Sequence, residues 1–348
     1  MRQTWQCAAI IAVAGLCLGA GIQVRPPVGP GVWYPADPAQ LRAAVEQYIA
    51  EADVVPLPGR VVGCIVPHAS YPACGAVAAH AFKPLQRGQY DRVIVLAPSL
   101  YATFRGCSIA SVPYYRTPLG DIPLDADAVR HLSASPLFNI RSLVYGGRAY
   151  QNPHVQRVAL HEREHSVEVV LPFLQVQLGD FNLVPIVMGE LKGYRDDFDE
   201  RAFEDVVERL RAIIDDRTFV VVTSDFTRYG VAHGFTPYED HILERIARLD
   251  FEAFDLIQNR DVPGFTAYID KAGNHISGHL PIRCLMEVLP PYAHGVMLRY
   301  DTSGRITGDP SKSVSFAAIS FFDPTLLPPE PRPAQRDAAS VDGSAPGQ

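Results

Sequence analysis

The sequence predicts one α/β domain with a central, mostly parallel sheet flanked by helices. Three observations carry that reading. Four short runs are continuously apolar and rich in β-branched residues: 60–66, 92–97, 183–188 and 218–223. Such runs suit strands buried on both faces. Helix-like stretches alternate with them, which is the order of an α/β fold. Hydrophobic residues make up 47% of 348 and charged residues 20%, the balance of a packed globular chain. That balance excludes a disordered, collagen-like or coiled-coil protein.

Taken in order, residues 41–52 read as a helix, then 60–66 as a strand stopped by Pro67. Residues 77–82 read as a helix and 92–97 as a strand stopped by Pro98. Helices are expected over 167–177, 201–214 and 241–247, with strands 183–188 and 218–223 between them. Residues 294–300 and 314–322 complete the sheet as two closing strands at its edges.

The termini differ from this body. Met1–Pro30 carries only Arg2 and Arg25 as charges, around the uncharged run 8–22. Fifteen residues are too few for a membrane-spanning helix, which needs about 20. A basic start, a short apolar run and small residues at Gly19, Ala20 and Gly21 read as a secretory signal. An uncleaved N-terminal anchor is the second reading, and a misplaced start codon on a cytoplasmic protein the third. Export to the periplasm or another extracytoplasmic space follows from the first. Residues 324–348 are rich in Pro, Ala, Ser and Gly. They lack the apolar surface to offset ordering entropy and read as a disordered tail. The domain is thus expected over 31–323.

Lys plus Arg number 31 against 38 Asp plus Glu, a formal charge of −7. A net acidic chain argues against a broad nucleic-acid face, and any membrane contact is expected only through the N-terminal segment. Of six cysteines, Cys64, Cys74, Cys107 and Cys284 fall in the domain, with no CxxC pair or zinc-like spacing. Cys64 and Cys107 lie in apolar runs and read as buried free thiols.

In an open α/β sheet, ligands bind beyond the carboxyl ends of the strands. Three runs end in polar segments: Pro67-His68-Ala69-Ser70-Tyr71, Pro98-Ser99-Leu100-Tyr101 and Ser224-Asp225-Phe226-Thr227-Arg228. His68, Ser99, Tyr101, Asp225 and Arg228 are expected to converge there. A His and an Asp brought together can bind a metal or move a proton; each can equally cap a turn. A second cluster, Glu164-His165-Ser166-Val167-Glu168, places His165 and Glu168 three apart, on one face of a helix. It reads either as a pocket wall or as acids complementing a helix dipole. A third, Asn274-His275-Ile276-Ser277-Gly278-His279, offers two histidines four apart, with Ser277 as a candidate helix cap.

Together these segments resemble the Memo family, whose bacterial members are called AmmeMemoRadiSam system protein B. The matches run through most of residues 31–322. They are Gly31-Val32-Trp33-Tyr34-Pro35, Pro67-His68-Ala69-Ser70-Tyr71, Ala97-Pro98-Ser99 and Tyr115-Arg116-Thr117-Pro118-Leu119-Gly120. Further along come Glu164-His165-Ser166-Val167-Glu168, Leu171-Pro172-Phe173, Val184-Pro185-Ile186, Ser224-Asp225-Phe226 and Gly278-His279-Leu280-Pro281. The resemblance implies a fold like that of class III extradiol dioxygenases, whose non-haem iron is held by two His and a carboxylate. In Memo proteins the corresponding pocket carries His, His and Cys. Metal binding, redox activity and phosphopeptide binding have all been proposed for the family.

The departures from the pattern shape the expected function. His68 stands at the first ligand position. Leu100 stands at the second, followed by Tyr101; Ser277 replaces the Cys; and Arg228 stands where many members have His. Leu cannot bind a metal, and Ser is a poor ligand beside thiolate or imidazole. The expectation is therefore a diverged binding or accessory protein with a degenerate metal site and no cofactor. Its polar crevice is expected to comprise Trp33, His68, Ser99, Tyr101, His165, Glu168, Asp225, Arg228, Ser277 and His279. Its ligand is expected to be an anionic small molecule or peptide. A protein partner reached through the proline-rich tail is a further reading. The alternative is a non-haem redox enzyme using iron or copper at a rebuilt site, with His68 weakly retained and Asp225, His275 or His279 as relocated ligands.

Overall fold

In a computed structural model the described residues are 23–140, 159–193 and 197–332. The four apolar runs are the centre of the fold: β2 (Arg60–Val66), β3 (Arg92–Pro98), β8 (Asn182–Met188) and β9 (Thr218–Thr223). They lie side by side and parallel in the order β2-β9-β3-β8. Their side chains alternate between two apolar cores. Val93, Val95 and Ala97 of β3 enter one, and Ile94 and Leu96 enter the other. Both faces of every central strand are buried, which is why these runs show no polar alternation.

Antiparallel pairings, β4 (Cys107–Ile109) with β8 and β12 (Ser313–Asp323) with β2, extend the sheet on both sides, so the whole is mixed. On the β8 side β4 is followed by β7 (Phe138–Asn139). On the β2 side, β12 pairs with β2 and also with β10 (Arg228–Tyr229) and β11 (His294–Thr302). β12 is therefore an interior strand rather than an edge, and its alternate residues Phe316, Ala318 and Ala317, Ile319 feed the two cores. A separate three-stranded sheet joins β1 (Val24–Arg25), β5 (Tyr114–Thr117) and β6 (Gly120–Pro123).

Three helices cover one face of the sheet: α1 (Pro38–Glu51), α2 (Tyr71–Phe82) and α4 (Leu171–Leu178). α1 starts where Asp37 Oδ1 accepts the Gln40 N–H at 2.9 Å, and Leu41, Val45 and Ile49 turn its apolar stripe inward. Opposite lie α5 (Glu200–Arg211), α6 (Ile242–Gln258), α7 (Val262–Ala272) and α8 (His279–Val288). α2 begins six residues before the sequence pattern implies, and α6 runs eleven residues beyond it. The short α3 (Ala126–Leu132) and α9 (Ser303–Thr307) finish the order.

Both expected domain boundaries are too narrow. Val24 and Arg25 pair with Tyr114 and Tyr115 in β5, and Arg25 is only 2% exposed. At the other end, residues 324–332 stay on the domain. The Arg332 N–H donates to Gly88 O, its guanidinium pairs with Asp91, and Arg217 holds Glu330 O. Most of the signal-like segment, residues 1–22, and the rest of the tail, residues 333–348, lie outside the described residues. Among the described residues no helix is long and apolar enough to cross a membrane. Cys64, Cys74, Cys107 and Cys284 are all buried and free.

Candidate functional site

The three strand tips converge as the strand order requires. β2 and β9 end in register at Val66 and Thr223, so the residues two positions further on, His68 and Asp225, meet. The His68 N–H donates to Asp225 Oδ1 at 3.3 Å, and His68 Nε2 lies 3.5 Å from Asp225 Oδ2. Arg228 reaches back three residues. Its Nη2 donates to Asp225 Oδ2 at 2.9 Å and sits 3.3 Å from His68 Nε2. Nε2 faces a permanent donor, so the ring proton belongs on Nδ1. Burial pushes the His68 pKa down, Asp225 opposes that shift and Arg228 adds to it. The imidazole is neutral at pH 7.

Ser277 closes this group. Its hydroxyl accepts the Asp225 N–H at 3.0 Å, donates to Asp225 O at 3.2 Å and lies 3.5 Å from His68 Nε2. It is not a helix cap, since α8 starts at His279 after Gly278. Gly278 permits the close approach that brings Ser277 in. A Cβ there would lie 2.5 Å from Ser224 Cβ and 2.7 Å from Thr223 O. Gly278→Ala is expected to cost about 1–3 kcal/mol through this overpacking, read as a lowered urea midpoint; an unchanged midpoint would show that the loop yields freely.

Ser277, His68 and Asp225 do not form a nucleophilic triad. Serine and carboxylate both face Nε2, and Nδ1 has no hydrogen-bond partner. A triad requires the carboxylate on the opposite nitrogen from the serine.

His165 forms the facing wall. Its ring lies 6.1 Å from that of His68, nearly perpendicular. Trp33 stacks on it at 3.7 Å and 6°, and Tyr101 OH contacts Nδ1 at 2.9 Å. Its pKa is pushed down to about 3, first by burial and then by His68 and Arg228, against the pull of Asp225. The crevice thus presents two neutral imidazoles, one Arg–Asp pair, a phenol and an indole.

Several expected members stand elsewhere. Glu168 faces away from the crevice: it pairs with Arg25, accepts the Val28 and Gly29 N–H groups and takes the Tyr34 hydroxyl. Ser99 folds onto its own turn, donating to Ala102 O at 2.6 Å. His275 and His279 are exposed, and His279 Nδ1 lies 3.2 Å from Ile276 O. The relocated ligand set of His68, Asp225 and either of these histidines is therefore not assembled. Among the described residues no three His, Cys, Asp or Glu side chains are grouped to hold a metal ion.

The residues that support the site are Glu164 and Asn274, which the sequence places in the second and third clusters without a role, and Asp250, which it does not single out. Glu164, fully buried, accepts the Leu100 and Ser166 N–H groups and so fixes the turn that carries Tyr101. Asp250, buried on α6, accepts the Thr227 N–H, the Thr227 hydroxyl and the Tyr300 hydroxyl. Asn274 bridges Thr227 Oγ1 and Tyr268 OH, which locks the 225–228 loop to the 274–277 loop. For Asp250 the sequence signal is an acid in the apolar register of a helix, beside Ile246, Ala253 and Ile257.

The sequence model for Memo-like proteins matches residues 25–320. The chain belongs to the Memo-like protein family. It is 29% identical over 317 residues to the "Protein memo-1 homolog" of Caenorhabditis elegans, covering 87% of this chain and 84% of that one. It is 30% identical over 301 residues to "Protein MEMO1" of Xenopus laevis and 29% identical to that of Homo sapiens. Each alignment covers 83% of this chain and 94% of the relative. A solved structure, an uncharacterized protein, JW3007, from Escherichia coli K12, superposes with a TM-score of 0.43 at 14% identity. It covers 75% of this chain and 99% of that one. The match begins at Arg25, in agreement with the buried role of that residue. The metal that this resemblance implies finds no fitting donor set in this Memo-like protein. Leu100 offers no side-chain donor, Ser277 is bonded to the Asp225 main chain, and a guanidinium nitrogen stands 3.3 Å from the one retained imidazole.

Proposed function

We propose that this Memo-like protein is a diverged binding protein whose crevice takes a small anionic or polar ligand without a metal. The observation that carries the reading is the position of Arg228. Its guanidinium engages Asp225 through Nη2, while Nε has no hydrogen-bond partner and is shielded from solvent. A buried donor without a partner costs free energy, and a ligand acceptor offsets that cost. The neutral rings of His68 and His165 line the crevice, and Trp33 stacked on His165 gives it a planar wall. An arginine fork is suited to carboxylate or phosphate oxygens.

Thermal unfolding of the full chain in phosphate, sulfate, acetate and succinate tests this. At least one anion is expected to raise Tm in a saturable way, as a ligand selective for the native state must. Arg228→Ala is expected to abolish the shift. A shift of the same size in Arg228→Ala would overturn the placement. Elemental analysis after anaerobic incubation with iron or copper separates the enzyme reading. Stoichiometric metal that disappears in His68→Ala would favour a redox centre instead.

A further inference from the structure

We propose that a second cleft, at the opposite end of the sheet from the crevice, binds a phosphorylated small molecule of nucleotide size. The inference is independent of the crevice reading. β3 and β8 begin side by side at Arg92 and Asn182, and a cleft of about 690 Å³ opens beside their amino ends. The turn before β3, the start of α1, the end of α4, the β5–β6 hairpin and Arg332 line it. Small-molecule sites typically span about 300–1,000 Å³.

The charges in the cleft are unevenly used. Asp91 takes Arg217 Nε and Nη2 at 2.7 and 2.9 Å and also Arg332 Nη1 at 2.8 Å. Asp121 is held by Arg116 through two bonds of 2.6 and 2.7 Å. Two further arginines of the lining are left over. Arg42 makes only a 3.9 Å contact with Glu46, one helical turn on. Among the described residues no hydrogen bond or ion pair engages Arg87. Its guanidinium is nevertheless held in place. It lies against the bare main chain of Gly179 at the end of α4, where a Cβ would stand 2.9 Å from Arg87 Cζ and 3.0 Å from Nη2. A donor whose sweep is already limited loses less freedom on binding.

The rest of the lining fits the organic part of such a ligand. Ile122, Leu178 and Phe181 are buried and give the cleft an apolar floor. Asp180 and Asn182 are exposed at its edge. Asp180 is the one carboxylate of the lining that meets no arginine; with the Asn182 amide it suits the hydroxyls of a sugar. Guanidinium forks suit phosphate oxygens, and an apolar floor with a few placed polar groups suits a ring.

ADP without added metal is the probe, titrated into the full chain by calorimetry. Saturation at one equivalent is expected, with pyrophosphate competing more weakly and adenosine binding more weakly still. Arg42 and Arg87 are exposed, so Arg42→Ala and Arg87→Ala should unfold at the wild-type Tm. Each is expected to weaken ADP binding at least about tenfold. Arg87→Lys, which keeps the charge without the fork, should weaken it less. Arg228→Ala should leave ADP binding unchanged. No saturable ADP binding overturns the inference, as does wild-type affinity in either cleft variant. Adenosine binding as tightly as ADP overturns the role given to the arginines, and pyrophosphate doing so overturns the role given to the floor. ADP binding lost in Arg228→Ala but kept in both cleft variants would put the nucleotide in the crevice, overturning this inference and leaving the crevice reading intact.

Discussion

Replacing Arg25 by alanine is expected to destabilise the domain by about 3–5 kcal/mol, the cost of leaving a buried charge without its partner. The Arg25 guanidinium is enclosed on all sides. Nε donates to His161 O at 2.5 Å, Nη2 to Glu164 O at 2.8 Å, and Nη1 pairs with Glu168. Its guanidinium carbon lies 4.3 Å from the centre of the Tyr115 ring. Without it, the fully buried Glu168 carboxylate keeps only the Val28 and Gly29 N–H groups and the Tyr34 hydroxyl. The same chain segment carries Trp33 onto His165, so the crevice wall should loosen as well. A chain beginning at Gly31 lacks β1 and Arg25 and should be at least as unstable. A chain beginning at Gln23 keeps β1 and Arg25 and should be more stable than the one beginning at Gly31. Urea unfolding of the three chains is decisive, and a loss below about 1 kcal/mol for Arg25→Ala would mean the pair contributes little more than an exposed one.

Stability is expected to fall steeply as the pH drops from about 6.5 towards about 3. Burial holds His165 down to about 3 and His161 to about 4, against an ordinary value of 6.5. Below 6.5 the unfolded chain binds protons that the native chain refuses, so the unfolding free energy declines with falling pH. For each ring the loss begins near the unfolded value and is complete once the pH passes below the folded one. Two such rings give a loss on the order of several kcal/mol across the window. Glu164 acts in the opposite direction. Burial raises its pKa, so protonation in acid favours the native state and tempers the decline. His165→Gln should flatten the slope of unfolding free energy against pH by roughly one proton. An identical slope would show that His165 takes up its proton in the native crevice at an ordinary pKa, with no depression by burial.

How much of this was legible before the fold was known differs from element to element. The four central strands and the meeting of His68 with Asp225 were readable, because a β-branched run buried on both faces has its own signature. The α/β order also says where such runs end. Helix ends were read less well. α2 starts at Tyr71 rather than at Val77 because Ser70-Tyr71-Pro72 enters the helix directly, with Pro72 in its first turn. The helices α7 and α8 were not recognised. Glu168 was read as facing the crevice because three-residue spacing on a helix places it beside His165. The chain there is a 3-10 turn over Glu168–Val170 leading into α4 at Leu171, rather than an α-helix from 167, and the carboxylate points to the N-terminal segment.

Periodicity and residue type along the chain suffice for the apolar strands, the family and the chemical identity of the crevice residues, Leu100, Ser277 and Arg228 among them. These are local facts: periodicity, punctuation and residue type survive without knowing what packs on what. Only the tertiary structure decided how those residues are used. Arg25 looked like the tail of a leader because its neighbours are apolar and proline-rich. It proves to be a buried cation because Glu168, 143 residues away, is brought against it. Arg228 is legible in the sequence only as a crevice residue; the fold ties its Nη2 to Asp225, presses it against His68 and leaves Nε without a partner. A charge in a low-dielectric interior is governed by whatever counter-charge and donors surround it. Those neighbours come from distant parts of the chain, so no local pattern names them.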